Sequence, residues 1–198
     1  MKTTYQNALV IGVGLIGASI AQDLKARKLS QSVSGYDHDQ SNLRFAKRKK
    51  IVDHAVTSLS HLADYDLIVL ALPVQALRRF INQFGADVSD KTLVIDVGST
   101  KASIVRDADR VFKAGNFVGC HPMAGTEKSG ASSSVKNLFE GQTCYLLPGK
   151  KTAPKFLKKA KSLWLALGSK VVTQEAKEHD RLMAQISHLP QFMATSLS

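Results

Sequence analysis

Few features of this 198-residue sequence suit a secreted, metal-binding or membrane-spanning protein. Its two cysteines, Cys120 and Cys144, lack the CxxC spacing of metal or redox sites, so we expect buried thiols in a reducing cytosol. No run approaches the roughly 20 apolar residues of a membrane-spanning helix. The N-terminus has no apolar segment followed by a small-residue cleavage site. These absences predict a soluble, cytoplasmic protein with no membrane partner and no metal site.

The formal net charge of +11 raises the question of a nucleic-acid partner. Basic residues cluster at positions 47–50 and again at positions 155–161. Apolar residues intervene at helical spacing, as they do on the solvated face of a packed helix. No groove-reading motif or aromatic-interleaved basic strand accompanies the clusters. We therefore predict no nucleic-acid partner, although a basic surface would attract an anionic substrate.

Short apolar runs alternate with segments of helical period, which is typical of parallel strands joined by crossover helices. The predicted strands are residues 8–11, 32–36, 67–72, 92–95, 117–119, 143–147 and 170–172. The predicted helices are residues 16–28, 42–50, 76–84, 101–113 and 154–167, with a last helical segment from 176 onward. The run 67–72 has no polar residue, which suits a central strand covered on both faces. The predicted fold is α/β, a Rossmann-type doubly wound and mostly parallel sheet.

A glycine-rich turn follows the first predicted strand. The spacing G-x-G-x-x-G over residues 12–17 is a weak signal alone, but here it lies between a strand and a helix. This context assigns Gly12 to the tight turn, Gly14 to close approach of a pyrophosphate and Gly17 to helix–strand packing. The helix N-terminus would face the phosphates. The predicted cofactor site also includes the pair between the last two glycines, Leu15 and Ile16.

An aspartate ends the second predicted strand. A carboxylate there, about 20 residues past the last glycine, can accept hydrogen bonds from the adenosine ribose hydroxyls, and Asp37 occupies that place. His38 and Asp39 follow where an NADP site would have a basic residue, so we predict NAD. In the alternative, the glycines merely turn the chain and Asp37 caps the next helix. Leu72 and Pro73, at the end of the central strand, complete the predicted cofactor site.

A histidine lies just past the predicted strand 117–119, where open α/β sheets place their ligands. A neutral imidazole has the pKa to take a proton from an alcohol at physiological pH, and His121 is the candidate base. The alternative is a histidine whose hydrogen bonds are purely structural.

Three motifs together resemble those of prephenate dehydrogenases. They are His-Pro-Met-Ala-Gly-Thr-Glu-Lys-Ser-Gly at 121–130, Asp-Val-Gly-Ser-Thr-Lys at 96–101 and Ser-His-Leu-Pro at 187–190. Their order and spacing also match along the chain. The resemblance implies an NAD-dependent oxidative decarboxylation in tyrosine biosynthesis. The substrate would be prephenate, giving 4-hydroxyphenylpyruvate, or arogenate, giving tyrosine directly.

The resemblance also implies roles for individual residues. His121 would accept the ring hydroxyl proton as hydride leaves the same carbon, and loss of the ring carboxylate would restore aromaticity. Ser99 would orient this base or bind the same hydroxyl, beside the cofactor, although it could instead cap the helix near Lys101. Further residues implied on the substrate side are Thr126, Glu127, His188 and Gln191.

Three of the implied residues need qualification. A carboxylate beside a dicarboxylate substrate needs a positive partner, so Glu127 is expected to be a gate or organiser. His188 would contact the substrate or the nicotinamide end, or else pack within its helix. Asp180 is expected to orient its neighbours or to cap its helix.

The sequence departs from the family pattern in two places. Many members carry a histidine where this chain has Gln191, which leaves prephenate or arogenate open. Family members continue into a helical dimerisation domain that supplies arginine for the substrate carboxylates. We therefore divide the chain into residues 1–173, an NAD-binding domain, and residues 174–198, the first helix of a truncated helical domain that would form a homodimer. Two other hypotheses remain: a β-hydroxyacid dehydrogenase, whose lysine finds no match here, and an NAD-binding module without turnover.

Overall fold

The computed structural model describes residues 5–125 and 130–185 of the chain. The strands are β1 Tyr5–Ile11, β2 Ser30–Tyr36, β3 His54–Ala55, β4 Leu67–Leu70, β5 Leu93–Asp96, β6 Phe117–Pro122, β7 Thr143–Leu147 and β8 Lys170–Thr173. The helices are α1 Leu15–Ala26, α2 Gln40–Arg48, α3 Val74–Phe84, α4 Ala102–Val111, α5 Pro154–Ala166 and α6 Ala176–Met183.

The strands form one sheet in the order β3-β2-β1-β4-β5-β6-β7-β8. Neighbouring strands are parallel except for β6 and β7, which are antiparallel. The strand order reverses between β1 and β4, and open sheets of this kind bind ligands in the crevice at that point. The predicted doubly wound α/β fold is confirmed.

Two hydrophobic clusters cover the two faces of the sheet. Leu67 and Val69 of β4 pack with residues of α1 and α5, whereas Ile68 and Leu70 pack with residues of α3 and α4. Since successive side chains of a strand point to opposite faces, a strand with helices on both sides needs apolar residues throughout. This explains the absence of polar residues in β4.

Most element boundaries differ from the predictions by one to three residues, and some of these differences have a clear structural cause. The helices predicted at 16–28 and 42–50 end two residues earlier, because Lys28 and Lys50 take positive φ values of 54° and 56°. Strand β6 extends to Pro122, because residues 119–122 pair with β7. Strand β3 was not predicted, since its two residues are exposed and carry no apolar pattern.

The structure tests three expectations, on the cysteines, on the basic cluster at 47–50 and on membrane-spanning helices. Cys120 and Cys144 are free and buried, as predicted. Residues 47–50 are exposed, as a solvated helix end requires. Within residues 5–125 and 130–185, no helix is long and apolar enough to cross a membrane.

Candidate active site

The predicted site residues that the structure describes meet at one edge of the sheet. The glycine turn 12–17 follows β1, Leu72 and Pro73 follow β4, and Ser99 follows β5, while His121 lies near the end of β6. These four strands are parallel neighbours, so their carboxyl ends share one edge. The fold therefore gathers into one crevice residues that are more than 100 positions apart in the chain.

The three glycines of the turn differ in what surrounds them. Gly12 has a φ of +92°, and a Cβ there would lie 2.2 Å from the carbonyl oxygen of Ala71. A Cβ on Gly17 would lie 1.9 Å from the carbonyl oxygen of Gly12. A Cβ on Gly14 would meet no atom of the residues that the structure describes within 4 Å. Chain packing thus requires the first and third glycines, whereas the second faces a space that is open among residues 5–125 and 130–185.

That open space lies before the N-terminus of α1, for which Gly14 is the N-cap. The first N–H groups of a helix have no partner within it, and together with the helix dipole they favour an anion. No side chain caps this helix. The residues present therefore fit the pyrophosphate of a dinucleotide.

Asp37 braces the glycine turn against the end of β2. Its buried carboxylate accepts hydrogen bonds from the backbone N–H of Val13, at 2.8 Å, and of Asp39, at 2.9 Å. The cap of α2 is instead Asp39, which accepts from the N–H of Ser41. The alternative in which Asp37 caps the next helix is therefore wrong. A carboxylate has about four lone-pair positions, so Asp37 retains capacity for further donors.

The chain that follows His121 returns to the glycine turn. A Cβ on Gly125 would lie 3.4 Å from Cδ1 of Ile16 and 3.7 Å from Cδ2 of Leu15. Further along, the N–H of Val135 donates to the hydroxyl of Ser19 on α1, at 2.9 Å. Residues that follow β6 in the chain therefore pack against α1, the helix that begins at the glycine turn.

His121 contacts a second histidine, 58 positions later in the chain. Its Nδ1 lies 2.9 Å from Nε2 of His179, and the two rings meet edge to face at 85°. His179 is fully buried on α6, with its ring 5.3 Å from that of Tyr145, and its Nδ1 lies 3.1 Å from Oδ1 of Asp180. Sequence reasoning missed His179, and the available signal was the His-Asp pair at the start of a predicted helix.

Asp180 caps a helix, but not its own. Its Oδ1 accepts from the N–H of Lys101 and its Oδ2 from the N–H of Ala102, both at 2.8 Å. Helix α4 thus begins with Lys101 as N-cap and a carboxylate from α6 as the acceptor. The alternative role of Ser99 as N-cap is wrong. Ser99 is exposed and makes no hydrogen bond to His121, both of which the structure describes.

A buried ion pair lies behind the base. Lys101 and Asp96 pair through Nζ and Oδ2, with neither side chain exposed. The pKa of His121 is lowered to about 4, first by burial, then by the charge of Lys101 and, when His179 is protonated, by the charge of that ring, while Asp180 raises it. His121 is consequently neutral at physiological pH, as a general base must be.

Four predicted substrate-side residues lie outside the described part of the chain. They are Thr126, Glu127, His188 and Gln191. The motif at 187–190 lies outside it as well.

The fold and its crevice are those of a nucleotide-binding α/β protein. Residues 20–173 match the family described as "Prephenate dehydrogenase, nucleotide-binding domain". The chain belongs to the prephenate dehydrogenase family. It is 34% identical over 192 residues to the prephenate dehydrogenase of Lactococcus lactis subsp. cremoris, covering 96% of this chain and 52% of that protein.

Solved structures agree with this family. The chain is 36% identical to prephenate dehydrogenase from A. aeolicus in complex with hydroxyphenyl propionate and NAD+, with a TM-score of 0.92 over 97% of this chain and 68% of that one. It is 33% identical to the arogenate dehydrogenase of Synechocystis, with a TM-score of 0.85 and the same coverage of both chains. The chain spans about half the length of the first curated relatives it matches.

Proposed function

We propose that this chain carries the NAD-binding and proton-accepting part of a prephenate dehydrogenase, an enzyme of tyrosine biosynthesis. The reaction is the oxidative decarboxylation of prephenate to 4-hydroxyphenylpyruvate. The observation that carries the proposal is a neutral His121 at the same crevice as the glycine turn. Family membership supports it, as does the relative from A. aeolicus whose structure is in complex with NAD+.

In this proposal NAD is held by the glycine turn and by Asp37. Gly14 leaves room for the pyrophosphate before α1, and the remaining lone pairs of Asp37 accept from the adenosine ribose hydroxyls. The neighbouring Asp39 would repel a 2′-phosphate, which favours NAD over NADP. Leu15, Ile16, Leu72, Pro73 and Ser99 complete the site. When bound, NAD supplies the hydride acceptor.

His121 acts as the base through Nε2. Its Nδ1 is already engaged with His179, so Nε2 is the ring nitrogen left for the substrate. Nε2 takes the proton of the ring hydroxyl as a hydride leaves the carbon that bears it. The bond from the ring to its carboxylate then breaks, carbon dioxide departs and the electrons of that bond complete the aromatic ring. Ser99, exposed at the end of β5, would hold the same hydroxyl.

Arogenate is the second candidate substrate. The Synechocystis relative is an arogenate dehydrogenase, and a cyclohexadienyl dehydrogenase from Zymomonas mobilis is 27% identical over 196 residues. Both compounds share the ring hydroxyl on which His121 acts and the ring carboxylate that leaves as carbon dioxide. Selection between them falls to the side-chain end of the substrate, where we place Thr126, Glu127, His188 and Gln191.

We further propose that residues 174–198 begin a helical domain. The family match ends at residue 173, and the relatives extend well beyond the region aligned with this chain. That domain would supply arginines for the substrate carboxylates and the interface of a homodimer. A biosynthetic enzyme of this kind would act in the cytoplasm.

The test is a turnover assay of the full-length protein that contains this chain, with prephenate or arogenate and with NAD or NADP. We expect NADH formation with prephenate and NAD. His121→Asn should lower kcat by about 10²- to 10⁴-fold without weakening NAD binding, because general-base catalysis contributes that much. His61→Asn, an exposed histidine, is the matched control. Full activity of His121→Asn would refute the role of the base, and NAD binding without any turnover would favour the non-catalytic module.

A further inference from the structure

The row of contacts from His121 through His179 to Asp180 determines which ring nitrogens carry protons. Asp180 already accepts two backbone N–H groups and, as a carboxylate, can only accept. Nδ1 of His179 must therefore donate to it. When His179 is neutral, only one of its ring nitrogens carries a proton, so its Nε2 is an acceptor.

The same reasoning extends to His121. Nε2 of His179 accepts, so Nδ1 of His121, at 2.9 Å, must be the donor. A neutral His121 with a proton on Nδ1 has a lone pair on Nε2. That lone pair is what the proposed base needs to take the hydroxyl proton. The tautomer required for catalysis is thus the one that its two neighbours impose.

We propose that His179 and Asp180 are positioning residues that hold His121 in the Nδ1-protonated tautomer and orient its Nε2 toward the substrate hydroxyl. The catalytic part of this proposal rests on the proposed function, whereas the tautomer does not. A buried aspartate that holds a catalytic histidine through Nδ1 performs the same task in serine proteases.

The carboxylate at the end of the row is itself held in place. Both oxygens of Asp180 accept hydrogen bonds from the first turn of α4, through Lys101 and Ala102. His179 is fully buried and is packed against Tyr145. Because neither side chain can rotate freely, the orientation of His121 follows from the packing of α6 on α4.

The row also favours the charged form of the base during turnover. After His121 takes a proton, both ring nitrogens donate, and Nδ1 keeps its bond to His179. The negative charge of Asp180 raises the pKa of His121, in opposition to Lys101. Without Asp180, the charge that raises the pKa of His121 is lost, while the Lys101 ammonium, which lowers it, remains.

The first test needs no turnover. Imidazole ¹⁵N spectra of the native chain at neutral pH distinguish a protonated from an unprotonated ring nitrogen, and His121→Asn assigns the signal. We expect a protonated Nδ1 and an unprotonated Nε2 in His121. In His179→Leu, which has no acceptor, we expect both tautomers in exchange. A protonated Nε2 in the native chain would overturn the proposal, even if His179→Leu failed to fold.

The second test uses kcat in the full-length protein. His179→Leu should lower kcat by about 10²-fold, because a misplaced group costs about that much. His179→Gln, whose carbonyl can accept from Nδ1 of His121, should recover most of the loss. Glu178→Gln, on the exposed side of α6, should equal the native protein. NAD affinity should stay the same in all three variants.

The two tests separate the two proposals. The expected tautomer in a protein that turns over neither substrate would uphold the positioning and refute the proposed function. Equal kcat in His179→Leu and the native protein, with His121 unchanged in its spectrum, would refute the positioning and leave the proposed function intact.

Discussion

Lys101 and Asp96, the last residue of strand β5, form an ion pair in which neither side chain is exposed. Removing one member of such a pair leaves a buried charge without compensation, which costs about 3–5 kcal/mol. Lys101→Met should therefore lower the free energy of unfolding by about that amount in urea titrations. Lys91→Met, at an exposed lysine, should change it by less than about 0.5 kcal/mol. Equal effects of the two substitutions would contradict the prediction.

The same substitution should raise the pKa of His121, because the Lys101 ammonium is one of the causes that lower it. The double variant Asp96→Asn/Lys101→Met leaves no lone charge, so it should regain stability. The pKa of His121 should remain raised in it. NMR titration gives the pKa of His121 in both variants, and urea titration gives their free energies of unfolding.

His121 should titrate with a pKa of about 4 instead of the ordinary 6.5. Between these values the unfolded chain binds the proton and the folded chain does not, so the contribution of His121 to stability increases as pH rises. It is complete above pH 6.5 and is lost as pH falls toward 4. The difference in unfolding free energy between the native chain and His121→Asn should follow this course. An NMR midpoint near 6.5 would show that the site does not depress the pKa.

Substitutions at the second and third glycines should have opposite consequences. Gly14→Ala adds a methyl group to open space at an ordinary φ of −74°, so stability should change by less than about 0.5 kcal/mol. NAD affinity should fall about tenfold or more, a loss of about 1.4 kcal/mol, because the methyl occupies the place proposed for the pyrophosphate.

Gly17→Ala should instead destabilise the chain in the absence of NAD, since its methyl would lie 1.9 Å from the carbonyl oxygen of Gly12. Thermal unfolding without cofactor and NAD titration measure the two effects. Unchanged NAD affinity in Gly14→Ala would place the pyrophosphate elsewhere.

Asp37→Asn should destabilise the chain even without NAD. One carboxylate oxygen is replaced by an NH2 group, which cannot accept the hydrogen bond from the backbone N–H that faces it. A buried donor left unsatisfied costs about 1–3 kcal/mol. Asp39→Asn is the matched control, because asparagine caps a helix as well as aspartate does. If Asp37→Asn weakened NAD binding but left the free energy of unfolding unchanged, the hydrogen bond that Asp37 accepts from the glycine turn would contribute nothing to stability.

Local patterns predicted most of the sheet. Each long strand and helix has its own hydrophobic period. The glycine turn depends on close contact with the chain that follows the neighbouring strand β4, but the residues that mark it lie close together in the sequence. The polar-free run of β4 indicated its central place correctly. Errors occurred where pairing decided the outcome: β6 continues to Pro122 because β7 lies beside it, and no local pattern carries that information.

The sequence by itself determined the α/β class, the glycine turn and the candidate base His121, because each is encoded within a few neighbouring residues. Tertiary structure alone decided what surrounds that base. His179 is 58 positions from His121, and Asp180 caps a helix that begins 78 positions earlier. Sequence spacing cannot show these contacts, because they exist only once α6 packs on α4. The state of His121 therefore depends on a part of the chain that its own motif does not include.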